Sequence, residues 1–224
     1  MRVSIVIPAY QPASLLEGCL MGIYKNTTLT DVEVIVVCNG SDEPSASMVI
    51  GSGFKLYWTP EAIGFTKAAN IGFKLATGDL VVILNTDAHI LDYAPKDAWL
   101  NRLTRPFDDP RVGITGLGFM GSRHGTYAPF YCTGIRRSLF DELGYLDERF
   151  SPGYGEDADF CYRVRAAGYE LVQVDDYKPV ADNTSTVTNF PIWHRGEQSF
   201  MDKEKRQLYV DNGNRLLEEK WGTK

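Results

Sequence analysis

The chain has 224 residues, of which 44% are hydrophobic and 23% charged, a balance typical of a soluble globular protein. Its net charge of −6 gives no broad basic surface for nucleic acid, and no apolar run approaches the ~20 residues of a membrane span. Its four cysteines have neither metal nor redox spacing, so reduced thiols and a cytoplasmic location are expected.

The first half of the chain alternates predicted strands and helices. Short apolar runs indicate strands, and apolar residues repeating every three to four positions indicate helices. The predicted elements are a strand at Val3–Ile7, a helix at Ala13–Lys25, strands at Val32–Cys38 and Phe54–Trp58 around a short helix at Pro44–Ile50, a helix at Phe65–Ala76, and a strand at Leu80–Leu84. This order predicts an α/β domain with a mostly parallel sheet, since parallel strands need crossover connections.

The second half is less regular and richer in loops. Its predicted elements are helices at Lys96–Phe107, Arg136–Leu143, Asp157–Ala167 and Glu197–Asn212, and strands at Val112–Leu117, Pro129–Ile135 and Tyr169–Val174. The Gly-rich, polar stretch Phe119–Ala128 is predicted to be a mobile loop, and a polar tail is predicted after Asn212. No linker separates the halves, so a single domain over residues 1–224 is expected.

The junction between Leu80–Leu84 and Asn85-Thr86-Asp87 is the most informative feature of the sequence. Five consecutive apolar residues fit a central parallel strand. In open α/β sheets, ligands bind beyond the carboxyl ends of the strands. A carboxylate beside an amide and a hydroxyl is a plausible set of ligands for a hard cation.

A second cluster of acids, Glu156, Asp157 and Asp159, opens a predicted helix. Acidic residues are common in a first helical turn, and for Asp159 we favour this structural role with an ion pair to Arg163. Glu156 and Asp157 differ because glycines precede them, and glycine lets the backbone approach a ligand closely. An ionised, partly dehydrated carboxylate there is a fair general base for a hydroxyl group.

Two loops are weaker candidates for donor contacts. Gly64 leads into a helix whose first turns carry Lys67 and Asn70, which could contact a phosphate or a sugar. Taken alone, this segment is better explained as an ordinary helix start with a solvated lysine. Asn39 and Asp42 lie in a turn that is either a surface turn or a nucleobase contact.

Trp193-His194-Arg195 lies late in the chain, just before the last predicted helix. A lone histidine is usually structural or solvated. His194 could nevertheless complete a metal site begun by Asp87, and Arg195 could bind a phosphate.

Six segments together resemble family 2 glycosyltransferases with the GT-A fold. They are Val3–Tyr10, Val34–Ser41, Gly64–Gly72, Leu80–Asp87, Arg136–Phe150 and Gly153–Arg163. Each segment is weak by itself, but six in the same order and spacing are a strong signal. The resemblance implies an inverting transfer of a hexose from a nucleotide-diphosphate sugar, a UDP-sugar being favoured, to a glycan or glycoconjugate, as in polysaccharide biosynthesis.

The resemblance also implies roles for particular residues. Residues 1–110 would bind the nucleotide sugar, and residues 111–224 would supply the acceptor side and the catalytic base. Donor contacts would come from Pro8, Ala9, Tyr10, Asn39, Asp42, Gly64, Lys67, Asn70, Asn85, Thr86, Asp87 and Arg195. The catalytic residues would be Asp157 as base and its neighbour Glu156, with Mn²⁺ or Mg²⁺ bound by Asp87 and His194.

The chain departs from the family pattern at Asn85, where an acid is common in relatives. This neutral residue leaves open a non-catalytic module that binds sugar nucleotides or glycans. A nucleotidyltransferase is disfavoured because Pro8–Pro12 contains neither glycine nor a basic residue. Many relatives carry further domains or membrane helices, so the chain is either a minimal enzyme or one domain of something longer, and peripheral membrane association stays open.

Overall fold

The structure is a computed structural model that describes residues 1–10, 13–175, 189–196 and 202–222. One central sheet has seven strands: β1 (Val3–Ala9), β2 (Val32–Asn39), β3 (Lys55–Thr59), β4 (Leu80–Leu84), β6 (Val112–Gly116), β9 (Cys132–Arg136) and β10 (Glu170–Gln173). Their order across the sheet is β10-β6-β9-β4-β1-β2-β3. All neighbours are parallel except β9, which runs antiparallel to both β4 and β6.

Helices pack against both faces of this sheet. They are α1 (Ala13–Asn26), α2 (Glu43–Ser52), α3 (Phe65–Leu75), α4 (Ala98–Thr104), α5 (Ser138–Leu143), α6 (Glu156–Ala166) and α7 (Lys203–Trp221), with 3-10 helices at Arg105–Asp108 and Glu148–Phe150. Successive residues of a strand point to opposite faces. Val82 and Leu84 therefore join the core that contains α1, whereas Val81 and Ile83 join the core that contains α6. The single α/β domain and the mostly parallel sheet predicted from the sequence are confirmed.

Two short antiparallel strand pairs were not predicted. β5 (Ala88–Ile90) pairs with β11 (Ile192–His194), and β7 (Met120–Ser122) pairs with β8 (Gly125–Tyr127). Phe119–Ala128, predicted to be a mobile loop, therefore contains a β-hairpin; its mobility stays a prediction. Strands of three residues carry too little alternation to be recognised in a sequence, and this hairpin is held by tertiary contacts such as that of Arg165 with the Thr126 carbonyl oxygen.

The last helix also differs from its prediction. Residues 197–201 at its predicted start lie outside the described residues, and the helix continues past Asn212 to Trp221. The predicted polar tail is helical because its end is anchored. Lys220 Nζ and Trp221 Nε1 lie 2.7 and 3.0 Å from Oδ1 of the buried Asp159.

The predicted helix Lys96–Phe107 is instead α4 followed by the 3-10 helix Arg105–Asp108, because Pro106 cannot continue the α-helical hydrogen bonding. Within the part of the chain that the structure describes, no helix has the length and apolarity needed to cross a membrane.

Candidate active site

The segment Asn85-Thr86-Asp87 forms a tight turn at the carboxyl end of β4. The Ala88 N–H donates to the Asn85 carbonyl oxygen at 3.0 Å, and the Asn85 N–H donates to the Tyr131 carbonyl oxygen at 2.9 Å. Thr86 and Asp87 are both buried. The Asn85 Oδ1 atom is also buried, with no hydrogen-bond partner among the described residues. Because a buried polar atom without a partner is costly, this amide oxygen is suited to a ligand.

Pairing of β5 with β11 brings His194 to Asp87. Ala88 and His194 are opposite each other in the register, and the Arg195 N–H donates to the Asp87 carbonyl oxygen at 3.0 Å. The His194 Nε2 atom lies 3.4 Å from Asp87 Oδ1. Two residues that are far apart in the sequence, and that were both predicted as metal ligands, therefore share one corner of the sheet.

Tyr131 fixes the orientation of His194. The two rings are stacked with centroids 4.1 Å apart and planes 3° from parallel. Tyr131 was not among the predicted site residues, because nothing in its local sequence distinguishes it from a core aromatic. It reaches the site because Cys132, the next residue, pairs with Leu84 in the antiparallel register of β9 with β4.

The residues at this corner fit a divalent cation by their chemistry. Carboxylate oxygen and neutral imidazole nitrogen are both common metal ligands, and Asp87 and His194 supply one of each at short separation. Across the described ranges, no three His, Cys, Asp or Glu side chains form a group that could enclose a metal. Such a sparse set fits Mg²⁺-like binding, in which one or two carboxylates share the cation with substrate phosphates and water.

The ends of β1 and β2 form the neighbouring part of the same edge. Pro8 and Ala9 are buried in β1, and Tyr10 is exposed just beyond it. The Ser41 Oγ atom donates to the Ala9 carbonyl oxygen at 3.0 Å, which ties the two strand ends together. Tyr10 therefore leaves the sheet at the edge where Asp87 lies.

The two residues predicted to meet a nucleobase have structural partners. The Asn39 Oδ1 atom accepts a hydrogen bond from the Ile63 N–H at 2.6 Å, and Asn39 is buried. The Asp42 side chain caps α2 by accepting from the Ser45 N–H at 3.1 Å, and hydrogen bonds from Ser45 lower the pKa of its carboxyl. Asn39 thus shapes the loop that leads to Gly64.

Gly64 brings the donor-side loop against the acid-bearing loop. Its φ is +88°, and a Cβ atom there would lie 2.5 Å from Ser151 Oγ and 2.7 Å from Pro152 Cα. The following residue, Phe65, donates its N–H to the Pro152 carbonyl oxygen at 2.6 Å. Only glycine fits this contact. Gly64 is therefore required for the close packing of the two loops.

Lys67 and Asn70 have different surroundings. Lys67 is exposed and therefore accessible to an anionic ligand. Asn70, predicted to contact a phosphate or a sugar, is buried and committed elsewhere. Its amide donates to the Leu146 carbonyl oxygen at 2.9 Å and accepts from the Leu146 N–H at 3.0 Å. Its role is to join α3 to the segment before the 3-10 helix Glu148–Phe150.

Glu156 and Asp157 begin α6, as predicted. Asp157 accepts from the Ala158 N–H at 2.7 Å, and also from the Phe130 N–H. Burial is the largest influence and raises the pKa of Asp157 to about 6, against the lowering effect of these backbone hydrogen bonds. Burial, followed by the charge of Asp157, raises the pKa of Glu156 well above its ordinary value, and Glu156 Oε2 has no partner in the described parts of the chain. Both carboxyl groups are therefore harder to ionise than an exposed acid would be.

The segment Phe130–Tyr131 joins the two acidic regions. Phe130 donates its N–H to Asp157, while Tyr131 accepts from Asn85 and stacks on His194. Asp159, by contrast, forms the predicted ion pair with Arg163 at 3.0 Å and is fully buried, so its structural role is confirmed.

Comparison with known proteins identifies a family match over most of the chain. The profile described as Glycosyl transferase family 2 matches residues 4–167. A pre-mycofactocin glycosyltransferase of Mycobacterium tuberculosis is 28% identical over 211 residues, covering 80% of this chain and 41% of that protein. The O-antigen biosynthesis protein RfbC of Myxococcus xanthus is 24% identical over 215 residues, covering 76% of this chain and 16% of that protein. The chain spans less than half the length of these relatives.

Solved structures show the same fold. The mannosyltransferase PcManGT of Pyrobaculum calidifontis, solved with GDP-Man and Mn²⁺, has a TM-score of 0.64 at 23% identity, over 77% of this chain and 54% of that one. Residues 1–349 of S. aureus TarS, solved with UDP-GlcNAc, give a TM-score of 0.63 at 18% identity, over 79% and 56%. Likeness at these identities shows the fold, which is that of the GT-A glycosyltransferases.

Proposed function

Because the chain belongs to glycosyl transferase family 2, we propose that it transfers a hexose, with inversion, from a nucleotide-diphosphate sugar to a hydroxyl group of a glycan or glycoconjugate. A UDP-sugar is the donor we favour, and polysaccharide biosynthesis is the process in which we place it. GDP-Man and UDP-GlcNAc, with which two similar structures were solved, support a nucleotide-sugar donor.

One observation carries this proposal: the approach of His194 to Asp87 at the carboxyl edge of the sheet. A buried carboxylate beside a half-buried imidazole at a ligand-binding edge supports a cation and a diphosphate there, as a nucleotide-sugar donor requires. Two further groups would contact the donor in this proposal. They are the Asn85 side-chain oxygen, which has no hydrogen-bond partner among the described residues, and the exposed Lys67. Arg195, exposed and next to His194, is the second cation available to a diphosphate.

In the proposed reaction, Asp157 accepts the proton of the acceptor hydroxyl group. The hydroxyl oxygen forms a bond to the anomeric carbon as the bond from that carbon to the diphosphate oxygen breaks. The nucleoside diphosphate leaves with the electron pair, and attack from the opposite face inverts the anomeric centre. Partial burial holds Asp157 as a base strong enough for this step near neutral pH.

Asp87 and His194 would hold Mn²⁺ or Mg²⁺, which when bound supplies Lewis-acid neutralisation of the negative charge on the leaving diphosphate. Lys67 and Arg195 would supply positive charge to the same group from the protein. Burial and the charge of Asp157 raise the pKa of Glu156, and in its protonated form Glu156 would donate a hydrogen bond instead of adding a second negative charge beside Asp157.

The alternative is a non-catalytic module of the same fold that binds sugar nucleotides or glycans, for which Asn85 is the sequence feature. Release of free nucleoside diphosphate from a sugar nucleotide by the purified protein would exclude that alternative. The cytoplasmic location and any peripheral contact with a membrane stay predictions.

The first experiment is a thermal-shift screen against UDP-, GDP-, dTDP- and CMP-sugars, each with and without Mn²⁺. We expect one nucleotide class to raise Tm, with a larger shift when Mn²⁺ is present. Asp87→Ala should abolish the Mn²⁺-dependent part, because it removes the carboxylate that lies 3.4 Å from His194 Nε2. Asp211→Ala, at an exposed position of α7, is the control. If neither EDTA nor Asp87→Ala changes nucleotide binding, the proposed metal site is wrong.

A further inference from the structure

A cavity of about 390 Å³ lies between the β7–β8 hairpin, the loop before α6 and the side of α7. Its walls include Ser122, His124 and Tyr127 from the hairpin, Tyr154 from the loop, and Asn214 and Leu217 from α7. We refer to it as the hairpin–helix cavity. Its volume lies within the range of small-molecule sites, roughly 300–1,000 Å³.

The cavity lies against the start of α6, the helix that carries the proposed catalytic base, although the side chain of Asp157 is not part of its lining. Gly155 and Ala158 both line it, and they bracket Glu156 and Asp157 in the sequence. The Ala158 N–H donates to Asp157 Oδ1 at 2.7 Å. One part of the cavity wall therefore belongs to the start of the helix that carries the base.

The chemistry of the walls fits a neutral saccharide. Tyr127 and Tyr154 offer aromatic surface, while His124 and Asn214 offer hydrogen-bonding groups; Ser122 Oγ is already engaged with the Gly125 carbonyl oxygen and Tyr162. The His124 Nδ1 atom is buried and has no partner within the described ranges. A small number of directional polar groups on a partly apolar wall is the usual composition of such a site.

The charges of the walls disfavour a phosphate or a lipid carrier. Arg123 and Glu218, both in the lining, form an ion pair with 2.9 Å between Arg123 Nη1 and Glu218 Oε1. The pair leaves no net positive charge for a diphosphate, which normally needs unpaired Arg or Lys groups. An isoprenoid chain is also disfavoured, because it would remove water from the polar groups of the cavity and form no hydrogen bonds with them.

The loop at the base of the cavity is held in an unusual conformation. Tyr154 has a φ of +77°, which is uncommon for a residue with a side chain. Its carbonyl oxygen would lie 2.3 Å from a Cβ atom at Gly213, so α7 approaches the loop as closely as glycine permits. Backbone conformations of this kind cluster at active sites, ligand clamps and switch regions.

We infer that the hairpin–helix cavity binds a neutral sugar ring of the acceptor, next to the hydroxyl group that is glycosylated. This inference rests on the proposed function and adds to it the class of acceptor and its location. It also gives the β7–β8 hairpin a role in acceptor selection.

The test is an NMR titration of the whole chain, without donor, using methyl glycosides of glucose, galactose, mannose and N-acetylglucosamine. Asn214→Trp fills the cavity from an exposed position of α7, and Leu208→Trp places the same side chain on α7 outside the lining. We expect the wild-type chain to bind at least one glycoside. Asn214→Trp should weaken that binding by roughly tenfold or more, and Leu208→Trp should leave it unchanged.

The inference is overturned if the wild-type chain binds none of the glycosides, or if binding is equally strong in Asn214→Trp. His124→Ala removes the unpartnered nitrogen without filling the cavity, and it is the deciding variant if Asn214→Trp does not fold. It should then weaken binding several-fold. Nucleotide-sugar binding, measured on the same proteins, tests the proposed function separately from the acceptor site. Absence of nucleotide-sugar binding counts against the proposed function, whereas the glycoside titration tests the cavity alone.

Discussion

At the residue scale, Asp157 combines a cost in stability with a use in chemistry. Burial raises the pKa of its carboxyl to about 6, while hydrogen bonds from Ala158 and Phe130 oppose that rise. The ionised form is therefore destabilising in the folded chain relative to the unfolded chain. The same desolvation makes the carboxylate a better proton acceptor, which is the property required of a general base.

We predict that Asp157→Asn lowers turnover by about 10²–10⁴-fold, the usual contribution of general-base catalysis, with donor affinity unchanged. In the wild-type chain, kcat/KM should fall as pH drops below about 6, because Asp157 becomes protonated. Initial rates over a pH series measure both effects.

The stability of the same variant gives an independent test. The destabilisation from ionised Asp157 is absent below its unfolded pKa of about 3.9, grows towards pH 6, and is complete above it. Asp157→Asn should therefore raise Tm at pH 7.5 but not at pH 3.5. Asp141→Asn, at an exposed position of α5, is the control. Near-normal turnover in Asp157→Asn would exclude this residue as the base.

At the scale of elements, α7 holds the loop before α6 in place. Gly213 of α7 touches Tyr154, and a Cβ atom at Gly155 would lie 3.4 Å from Gly213 Cα. Farther along α7, Lys220 and Trp221 bind the buried Asp159 in the first turn of α6. The helix that carries the proposed base is thus fixed from the C-terminal part of the described chain.

We predict that Gly213→Ala lowers the free energy of unfolding by about 1–3 kcal/mol, because its Cβ atom would overlap the Tyr154 carbonyl oxygen at 2.3 Å. Turnover should fall more than donor affinity, since the displaced loop lies beside Asp157 and not beside Asp87. Denaturant unfolding and initial rates measure the two effects.

Gly51→Ala is the matched control, because Gly51 also lies in a helix and a Cβ atom there would meet no atom within 4 Å. This control should be neutral or stabilising, by up to about 1 kcal/mol. Equal effects of the two substitutions would mean that α7 does not hold the loop.

At the scale of the whole molecule, Glu33 joins the parallel half of the sheet. Its carboxylate accepts from Ser4 Oγ at 2.6 Å, from the Thr77 N–H at 2.8 Å and from Lys55 Nζ at 2.6 Å. These groups belong to β1, to the turn before β4, and to β3. Burial would raise the pKa of Glu33, but the hydrogen bonds from Lys55, Ser4 and Thr77 outweigh burial and lower it to about 2.

We predict that Glu33→Gln lowers the free energy of unfolding at pH 7 by about 2–3 kcal/mol, because it leaves charged and buried donors without a matching acceptor. The stabilisation from Glu33 is complete above its unfolded pKa of about 4.3 and is lost as pH falls towards 2. The difference in stability between the variant and the wild-type chain should therefore shrink in acid. Glu61→Gln, at an exposed position, should cause no change at any pH.

Much of the fold and part of the candidate site could be predicted from local sequence. The run Leu80–Leu84, buried along its whole length, and the alternation of strands with helices determined the parallel sheet. The acids at the start of α6 were visible because a helix start leaves its signature in consecutive residues. These features depend on neighbours in the chain, which a sequence shows directly.

Other parts of the site depend on pairings between distant segments. The register of β5 with β11 brings His194 to Asp87, and the antiparallel β9 brings Tyr131 over His194. The amide of Asn70, an expected ligand contact, is taken up by Leu146, a partner that no local pattern reveals.

The sequence by itself determined which side chains could do chemistry and at which strand or helix end each one lies. Only the tertiary structure decided which of them meet, and how deeply each is buried. The physical reason is that residue type and local periodicity are properties of short segments, whereas contact, desolvation and pKa depend on packing between segments that are far apart in the chain.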